Sequence, residues 1–450
     1  MNKTIKLKKG LDIKLVGKAE KILVDALNSE TFAIQPTNFE AILPKLLVKA
    51  GTKVKAGTAL FYNKNNPKIK FTSPVSGTIL DVKRGERRKI LKVIIEPDNE
   101  NKYENFNIKD DLKEYGKKDI IELLLEAGLW PMIMQRPYAI IANHEDTPKS
   151  IFISAFDSAP LGVDYEFILK DRKKDFQTGI QILQKLSSKI YLNVDGKKTI
   201  PDIFNIQNIS INKITGKHPA GTIGTQINHI DPINKGEKIW YVNPQDVAII
   251  GKFFLTGKLD LTKIVALAGS EVAEPKYYKT KIGSQIKSII NENLNSKENI
   301  RIISGNVLTG TKTFCKSYLG FYDSLISVIP EGNYYEFLGW GTPGLKKFSM
   351  SRTFLSWLTP NKKYKLDTNY HGGERAFVIS EQYDKVVPMD VLPQQLIRAC
   401  IVEDIDKMEQ LGIYEVAEED FALCDFVCTS KIEVQEIIRK GINLMIKEIG

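Results

Sequence analysis

Long apolar runs and cysteines are scarce in this chain of 450 residues, and each shortage excludes a class of protein. No stretch approaches the roughly 18 consecutive apolar residues that a membrane-spanning helix needs. The longest runs, such as Val265–Ala268, are far shorter. Four cysteines, three of them in the last 51 positions, do not make a disulfide framework. Because the N-terminus also lacks the apolar segment of a signal peptide, we expect a soluble protein of a reducing compartment.

The motifs of several catalytic classes are absent as well. No G-x-G-x-x-G follows a strand expected in residues 101–255. The glycines of 251–258 are too far apart for a phosphate loop, and in 305–312 Gly310 is followed by Thr311 and not by the required Lys-Ser/Thr. The HGG of 371–373 resembles an esterase oxyanion loop, but no G-x-S-x-G exists to accompany it. Cys424 and Cys428 have no further cysteine close enough to complete a zinc or cluster motif. We expect reduced thiols here, and no metal or flavin held by this chain.

Charge is distributed unevenly along the chain. Residues 1–100 carry 20 basic and 10 acidic side chains, an excess as large as the +10 of the whole chain. The motif KRGERRK concentrates Arg84, Arg87 and Arg88 on one short turn, which predicts docking against an acidic partner or an anionic membrane surface. The alternative is a solvated basic face. Nucleic acid is the weakest candidate, because aromatic side chains do not alternate with the basic ones.

Residues 1–100 are predicted to form a barrel-sandwich domain of the biotinyl/lipoyl type. Short alternating runs separated by glycine turns indicate strands. Val48–Leu60 and Ser73–Ile79 look like the two halves of such a carrier domain. The hairpin between them contains Lys64 but lacks the usual flanking residues of a modified lysine. We therefore expect Lys64 to be unmodified.

The rest of the chain predicts three further domains, so the fold class is multidomain α/β and β. Strands alternating with helices over 101–255 indicate a Rossmann-like α/β domain with a parallel sheet. Its clearest helix is Lys117–Gly128. The glycine-punctuated stretch 256–380 is expected to be β-rich and to contain a β-grasp module that binds soluble ligands. Residues 381–450 are acidic and predicted to be helical.

In this order, the four predicted domains resemble the A subunit of the Na+-translocating NADH:quinone reductase over essentially the whole length of the chain. The domain order is also similar to that of the NADH-oxidising subunit of complex I and of the C subunit of the Rnf complex. The matching pieces, in collinear order, are IKLKKGLDIKLVGKAE, KNNPKIKFTSPVSGTI, EAGLWPMIMQRPYA, HPAGTIGTQINH, QDVAIIGKFFLTGKL, VALAGSEV, RIISGNVLTG, YLGFYDSLISVIPEG, KFSMSRTFLSWL and ALCDFVC.

The resemblance implies a peripheral subunit on the cytoplasmic face of the bacterial inner membrane. It implies five other subunits as partners, mainly the integral membrane B subunit, followed by the C subunit. NADH, FAD, FMN, the iron–sulfur centre and Na+ would be handled by those subunits. The reason is that this chain lacks the motifs that hold flavin and iron–sulfur clusters in the related subunits of complex I and the Rnf complex. This chain would bind quinone, ubiquinone or menaquinone, and support assembly. The alternative is a purely structural docking subunit without a ligand site.

A quinone head group needs an apolar slot, an aromatic wall and hydrogen-bond donors for its carbonyl oxygens. Trp130, Arg136 and Tyr138 supply an indole, a guanidinium and a phenol within one proline-stiffened stretch. His218 and His229, at the two ends of a glycine-containing segment expected to be a loop, are candidate carbonyl donors. The alternative is structural: Trp130 caps a helix, Arg136 pairs with a carboxylate, Tyr138 begins a strand, and the histidines have no redox role.

Overall fold

Two antiparallel sheets near the N-terminus face each other across an aromatic and aliphatic core. The computed structural model describes residues 2–448. Phe61 and Phe71, on neighbouring strands of one sheet, stack in this core with their ring centroids 4.6 Å apart. Leu60 and Val93 are also fully buried. Lys64 lies exposed in the tight hairpin between Ala59–Asn63 and Asn66–Thr72. The strands are Phe32–Ile34, Ile90–Pro97, Gly77–Arg84 and Lys53–Val54 in one sheet, and Pro44–Leu46, Ala59–Asn63 and Asn66–Thr72 in the other.

The central part of the chain forms a seven-stranded sheet with helices packed on its faces. Its inner strands, such as IFIS and IYLNVD, are buried on both faces, which explains their nearly continuous apolar sequence. In spatial order the strands are Thr4–Lys6, Ser210–Thr215, Ile190–Asp195, Ile151–Ser154, Ile239–Val242, Ile133–Arg136 and Ile140–Ile141. The first five are parallel to one another, and the last two pairings of neighbouring strands are antiparallel. The helices are Lys117–Glu126, Tyr165–Leu169, Lys173–Leu186, Ile223–Ile230 and Pro244–Thr256.

The order of the parallel strands reverses beside Ile151–Ser154. The strands that follow it in the chain, Ile190–Asp195 and then Ser210–Thr215, extend the sheet to one side. Ile239–Val242 pairs with it on the other side. In an open α/β sheet a crevice forms at such a reversal, beyond the carboxyl ends of the strands, and ligands bind there.

A six-stranded mixed sheet and a helical region complete the structure. The sheet strands in spatial order are Thr311–Thr313, Ile300–Ser304, Leu325–Pro330, Thr262–Ala268, Lys276–Lys281 and Leu23–Asp25, with helix Ile286–Ile290 packed nearby. The helices of the last part are Gln382–Val386, Pro393–Ile401, Ile405–Gln410, Ala422–Val427 and Val434–Glu448. Leu396, Met408 and Ile442 are fully buried among them. Within residues 2–448, no helix combines the length and the apolar character needed to cross a membrane.

Two expectations from the sequence require correction. Strands were expected throughout 256–380, but the last strand ends at Pro330. Within the described structure, residues 331–381 contain only the short 3-10 helices Gly339–Gly341 and Leu355–Leu358. Of the residues there whose burial is described, Ser356 and Tyr364 alone are buried, so no strand face is available to pack. The second correction concerns the segment between His218 and His229, since most of it, Ile223–Ile230, is helix and not loop.

Candidate functional site

A cavity of about 500 Å³ lies at the strand-order reversal. Ser154 and Ser158 line it from the end of one central strand, and Asn243 from the end of the other. Tyr322 closes it from the six-stranded sheet side, and Glu419 reaches it from the C-terminal helical region. The cavity therefore draws residues from three regions of the chain, at the place where an α/β sheet of this topology binds ligands.

The loop after Ile151–Ser154 is shaped by one carboxylate. Asp157 accepts hydrogen bonds from the backbone N–H groups of Ala159, at 2.9 Å, and Val163, at 3.0 Å. Burial raises the pKa of Asp157, while these two donors act in the opposite direction. The loop also packs directly on Gly221, where a Cβ would lie 2.4 Å from the carbonyl oxygen of Phe156. Gly221 is thus required for close approach, which brings its neighbour His218 to the cavity.

His218 is a neutral, buried histidine with one ring nitrogen free. Its Nδ1 lies 3.1 Å from the Oγ of Ser158, which also accepts the N–H of Gly221 at 2.8 Å. Its Nε2 is buried and has no hydrogen-bond partner within residues 2–448. Burial lowers the pKa of His218 to about 4, with Asp12 opposing the shift, so the ring is uncharged at neutral pH. When the Ser158 hydroxyl donates to Nδ1, the ring proton lies on Nε2 and makes it a free donor.

Three tyrosines give the cavity aromatic walls. Tyr165 accepts a hydrogen bond from the side-chain amide of Asn243 at 2.9 Å, and Tyr322 donates to the carbonyl oxygen of Pro131 at 2.8 Å. Tyr241 lies under the guanidinium of Arg136, 5.9 Å from its ring centroid. Burial raises the pKa of all three phenols, so they stay protonated at neutral pH. Their rings provide flat apolar surface of the kind that small-molecule sites use.

The charged groups that line the cavity are carboxylates. The cations that pair with two of them, Lys263 and Arg136, are not part of the lining. Asp246 is buried beside the ammonium of Lys263, at 3.1 Å, and burial raises its pKa while Lys263 opposes the shift. Burial likewise raises the pKa of Glu419 to about 7. No lysine or arginine lines the cavity within the described residues. A phosphate would meet like charge here, so the electrostatics favour a ligand without phosphate groups.

Trp130 and Arg136 are used in packing. Trp130 is fully buried, donates its indole N–H to the carbonyl oxygen of Ala142 at 2.7 Å and packs edge-on against Trp240. Arg136 is also fully buried, and its guanidinium donates to the carboxylates of Asp420 at 2.9 Å and Glu419 at 2.7 Å. Pairing with a carboxylate is the structural role that the sequence left open for Arg136, which touches the cavity through its partner Glu419. Trp130 does not cap the preceding helix, which ends at Glu126 with Ala127 as its C-cap.

Tyr138 and His229 also lie outside the cavity lining. Tyr138 is partly buried, has a φ of 82° and packs against Tyr414, while its carbonyl oxygen accepts a hydrogen bond from Arg439. His229 is exposed on the helix Ile223–Ile230, with its Nδ1 2.9 Å from the carbonyl oxygen of Thr225. Among the five proposed quinone ligands, His218 is therefore the one that lines the cavity.

The three arginines predicted to take part in docking lie at the tip of a long hairpin. Arg84 ends the strand Gly77–Arg84, and its guanidinium donates to the carbonyl oxygen of Arg88 at 3.1 Å. Arg87 and Arg88 are exposed, with φ values of 51° and 61°. None of the three forms an ion pair within residues 2–448. The turn presents these charges to solvent.

The four cysteines are free thiols in the part of the chain that the structure describes. Cys400, Cys424 and Cys428 are buried free thiols, and Cys315 is an exposed one. Burial raises the pKa of Cys400 to about 12 and that of Cys424 as well, which makes these thiols unreactive. Residues 2–448 contain no group of three or more His, Cys, Asp or Glu side chains placed to hold a metal.

Most of the cavity lining carries no recognisable signal in the sequence. Nothing in the local sequence distinguishes four of the lining residues from ordinary core or loop residues, namely Ser158, Tyr165, Tyr241 and Tyr322. One signal could have found Ser158 and Tyr241, since they lie on or just beyond the carboxyl ends of the two central strands, whereas Tyr165 begins the helix that follows. Using that signal requires the order of the strands in the sheet, which the sequence pattern does not supply.

Comparisons with known proteins agree with this architecture. Three family models match: the NqrA N-terminal barrel-sandwich hybrid domain over residues 5–98, the NqrA second alpha/beta domain over 115–259, and the NQRA C-terminal domain, of SLBB type, over 264–314. The A subunit of the Na(+)-translocating NADH-quinone reductase from Rhodopirellula baltica is 38% identical, covering 98% of each chain. Those of Haemophilus influenzae and Neisseria meningitidis are each 37% identical, covering 99% of this chain and 100% of the relative.

A barrel-sandwich domain, an α/β domain with an open cavity at its strand reversal, and an SLBB domain define a multidomain α/β protein. The expected barrel-sandwich, α/β and SLBB classes are confirmed by the family models. The chain belongs to the NqrA family, the A subunits of Na+-translocating NADH-quinone reductases. Members of this family are named as subunits of an oxidoreductase complex.

Proposed function

We propose that the chain is a peripheral subunit of a Na+-translocating NADH-quinone reductase and binds the quinone head group in the cavity at the strand reversal. The observation that carries this proposal is the neutral His218, which lines an aromatic-walled cavity and whose buried Nε2 has no hydrogen-bond partner within residues 2–448. A quinone carbonyl oxygen is a neutral acceptor and matches such a donor. Leaving a buried donor without a partner costs about 1–3 kcal/mol, and a ligand would recover that cost.

Cavity size and charge support the same ligand class. The volume of about 500 Å³ lies within the range of roughly 300–1,000 Å³ that small-molecule sites span. The rings of Tyr165, Tyr241 and Tyr322 offer stacking surface, and the carboxylates of Asp246 and Glu419 disfavour phosphates. FMN, FAD and NADH all carry phosphates, whereas a quinone carries none. Either ubiquinone or menaquinone meets these requirements.

The remaining chemistry is proposed to lie in the other subunits. NADH oxidation, the flavins, the iron–sulfur centre and Na+ movement would belong to the five partner subunits. The main contact would be with the integral membrane B subunit, the second with the C subunit. The chain would lie on the cytoplasmic face of the bacterial inner membrane, held there by those partners. The exposed turn with Arg84, Arg87 and Arg88 would assist through charge attraction to an acidic partner.

We also propose four domains, with boundaries near residues 100, 255 and 380. The barrel sandwich comes first, followed by a Rossmann-like domain, a β-grasp region whose strands end at Pro330, and a helical domain. Two N-terminal strands cross these boundaries, because Thr4–Lys6 joins the seven-stranded sheet and Leu23–Asp25 joins the six-stranded one. These strands tie the first domain to the next two.

A second candidate is a purely structural docking subunit without a ligand site. It is favoured by the placement of Trp130 and Arg136, whose polar atoms already bind protein partners. Titration of the purified, delipidated chain with a short-chain quinone separates the candidates, with tryptophan fluorescence as the signal. Saturable one-site binding supports the quinone site, and its absence supports the structural role.

Two histidine variants sharpen this test. We expect His218→Leu to weaken quinone binding about tenfold, because one buried hydrogen bond of about 1.4 kcal/mol is lost. His229→Leu is the matched control, since His229 is exposed and outside the cavity. Circular dichroism spectra that match the unmodified chain would show that both variants fold. Equal affinities for the two variants would place the quinone elsewhere.

A further inference from the structure

Residues 334–363, here named the 334–363 segment, expose an unusual amount of apolar surface. Eight of the 21 large hydrophobic side chains that are exposed within residues 2–448 lie in it. Tyr335 is 106% exposed and Phe337 is 91% exposed. Single exposed hydrophobic residues are ordinary, but a concentration of them marks an interaction surface. The exposed members are Tyr334, Tyr335, Phe337, Leu338, Leu345, Leu355, Trp357 and Leu358.

The backbone that carries these side chains is nevertheless anchored. The ammonium of Lys347 binds the carbonyl oxygen of Gly339 at 2.6 Å and the carboxylate of Glu336 at 2.5 Å. Lys362 donates to the carbonyl oxygen of Leu345 at 2.6 Å. Phe348 packs between aromatic rings of the protein body, 5.4 Å from Tyr364 and 5.8 Å from Phe426. The segment therefore displays its apolar side chains from a defined surface.

The size and composition of the segment fit a protein interface. Its 30 residues match the 20–30 residues that one side of a standard interface contributes. Exposed tryptophan and tyrosine are the residues that most often dominate binding energy, and full burial of one large apolar side chain contributes about 1.5–3 kcal/mol. Arg352 lies over the ring of Trp357, 5.7 Å from its centroid, which joins the two residue types enriched in such hot spots.

Charge indicates the chemistry of the partner. The segment contains five basic residues and one acidic residue, and that one, Glu336, pairs with Lys347. Lys346, Arg352 and Lys363 form no ion pair within residues 2–448. A partner with carboxylates around an apolar patch would complement them. A bilayer surface fits less well, because segments that lie in a membrane interface are amphipathic helices, whereas this one is irregular apart from two short 3-10 helices.

We propose that the 334–363 segment is the main docking surface of this chain for another subunit of the same reductase, one that presents an apolar patch edged by carboxylates. This inference rests on the proposed role as a peripheral subunit, and it is independent of the quinone site. The apolar side chains provide affinity, and the unpaired cations select the partner and its orientation. The arginine turn at 84–88 then contributes only screened attraction.

The test uses the complete reductase, expressed with a tag on this chain and extracted in mild detergent. The variant replaces Phe337, Leu338, Trp357 and Leu358 with serine. We expect recovery of the other subunits on the tagged chain to fall at least about tenfold, because several buried contacts are lost together. The control replaces Leu43 and Leu80, which are 55% and 52% exposed on the barrel sandwich, with serine and should leave recovery unchanged.

Two further measurements keep the result interpretable. Both variants should keep the far-ultraviolet circular dichroism and the quinone affinity of the unmodified chain, since the altered side chains are exposed and outside the cavity. Flotation with vesicles of phosphatidylcholine and phosphatidylglycerol tests direct lipid binding by the isolated chain. Unchanged subunit recovery would overturn the proposal. If flotation of the unmodified chain were also lost in the variant, the surface would be assigned to anionic lipid instead.

Discussion

Arg136 should stabilise the contact between the α/β domain and the C-terminal helical region, and its replacement by methionine tests this. The side chains of Arg136 and Asp420 are both fully buried, with Nη1 and Oδ2 2.9 Å apart. Asp420 also accepts the N–H of Ala417 at 2.8 Å, so its carboxylate is held in place. Removing the arginine leaves a buried carboxylate without a cation, which costs about 3–5 kcal/mol. We expect Arg136→Met to lower the free energy of unfolding by that amount.

Guanidinium chloride unfolding, followed by circular dichroism, measures the loss, and limited proteolysis locates it. The helical residues 382–448 should become sensitive to protease before the rest of the chain. Asp420→Asn, added to Arg136→Met, should recover part of the loss, because the uncompensated charge is then gone. Lys440→Met is the control, since its pair with Glu436 is exposed and is worth only about 0.3–0.5 kcal/mol. A loss below about 1 kcal/mol for Arg136→Met would refute this reasoning.

Three further predictions concern single sites. Because the pKa of His218 is lowered to about 4, unfolding makes this side chain take up a proton below about pH 6.5, so its contribution to stability should fall by about 2 kcal/mol between pH 7 and pH 5. Denaturant titrations should show this as a difference between the unmodified chain and His218→Leu that shrinks by that amount, because groups such as Glu419 titrate alike in both. Lys64 should be unmodified, so the intact mass should match 50.8 kDa apart from terminal processing; an added lipoyl or biotinyl group would contradict this. Charge reversal of Arg84, Arg87 and Arg88 should weaken assembly in salt-graded pull-downs more than reversal of three lysines elsewhere, and equal recovery would make the turn a solvated face.

Much of the architecture could be predicted because its signals are local. Buried parallel strands are short apolar runs in the sequence, and the alternation of strands and helices predicted over 101–255 is observed, with Ile151–Ser154 and Ile190–Asp195 among its strands. The helix predicted at 117–128 is observed as Lys117–Glu126, with Gly128 just beyond it. Apolar runs determine the strands, and periodicity with a terminating glycine determines the helix, without help from distant residues.

The errors arise where distant residues determine the local structure. The sequence predicts a loop at Gly224, but this glycine lies in the helix Ile223–Ile230, where a Cβ would come within 2.3 Å of the Asp420 carboxylate. The alternation after residue 330 predicts strands, yet its apolar side chains, such as Phe337, face solvent. The polar partners of Arg136 lie more than 280 positions away, so local sequence could not identify them.

The most direct test of the quinone site is covalent labelling of the assembled reductase with a photoreactive short-chain quinone, followed by peptide mapping. We predict labelling of peptides that contain Ser154–Ser158 and Tyr241–Asn243, suppressed by excess unlabelled quinone and reduced in His218→Leu. These peptides line the cavity from the ends of its two central strands. Labelling confined to other subunits, with none on this chain, would contradict the quinone site and assign the chain a purely structural role.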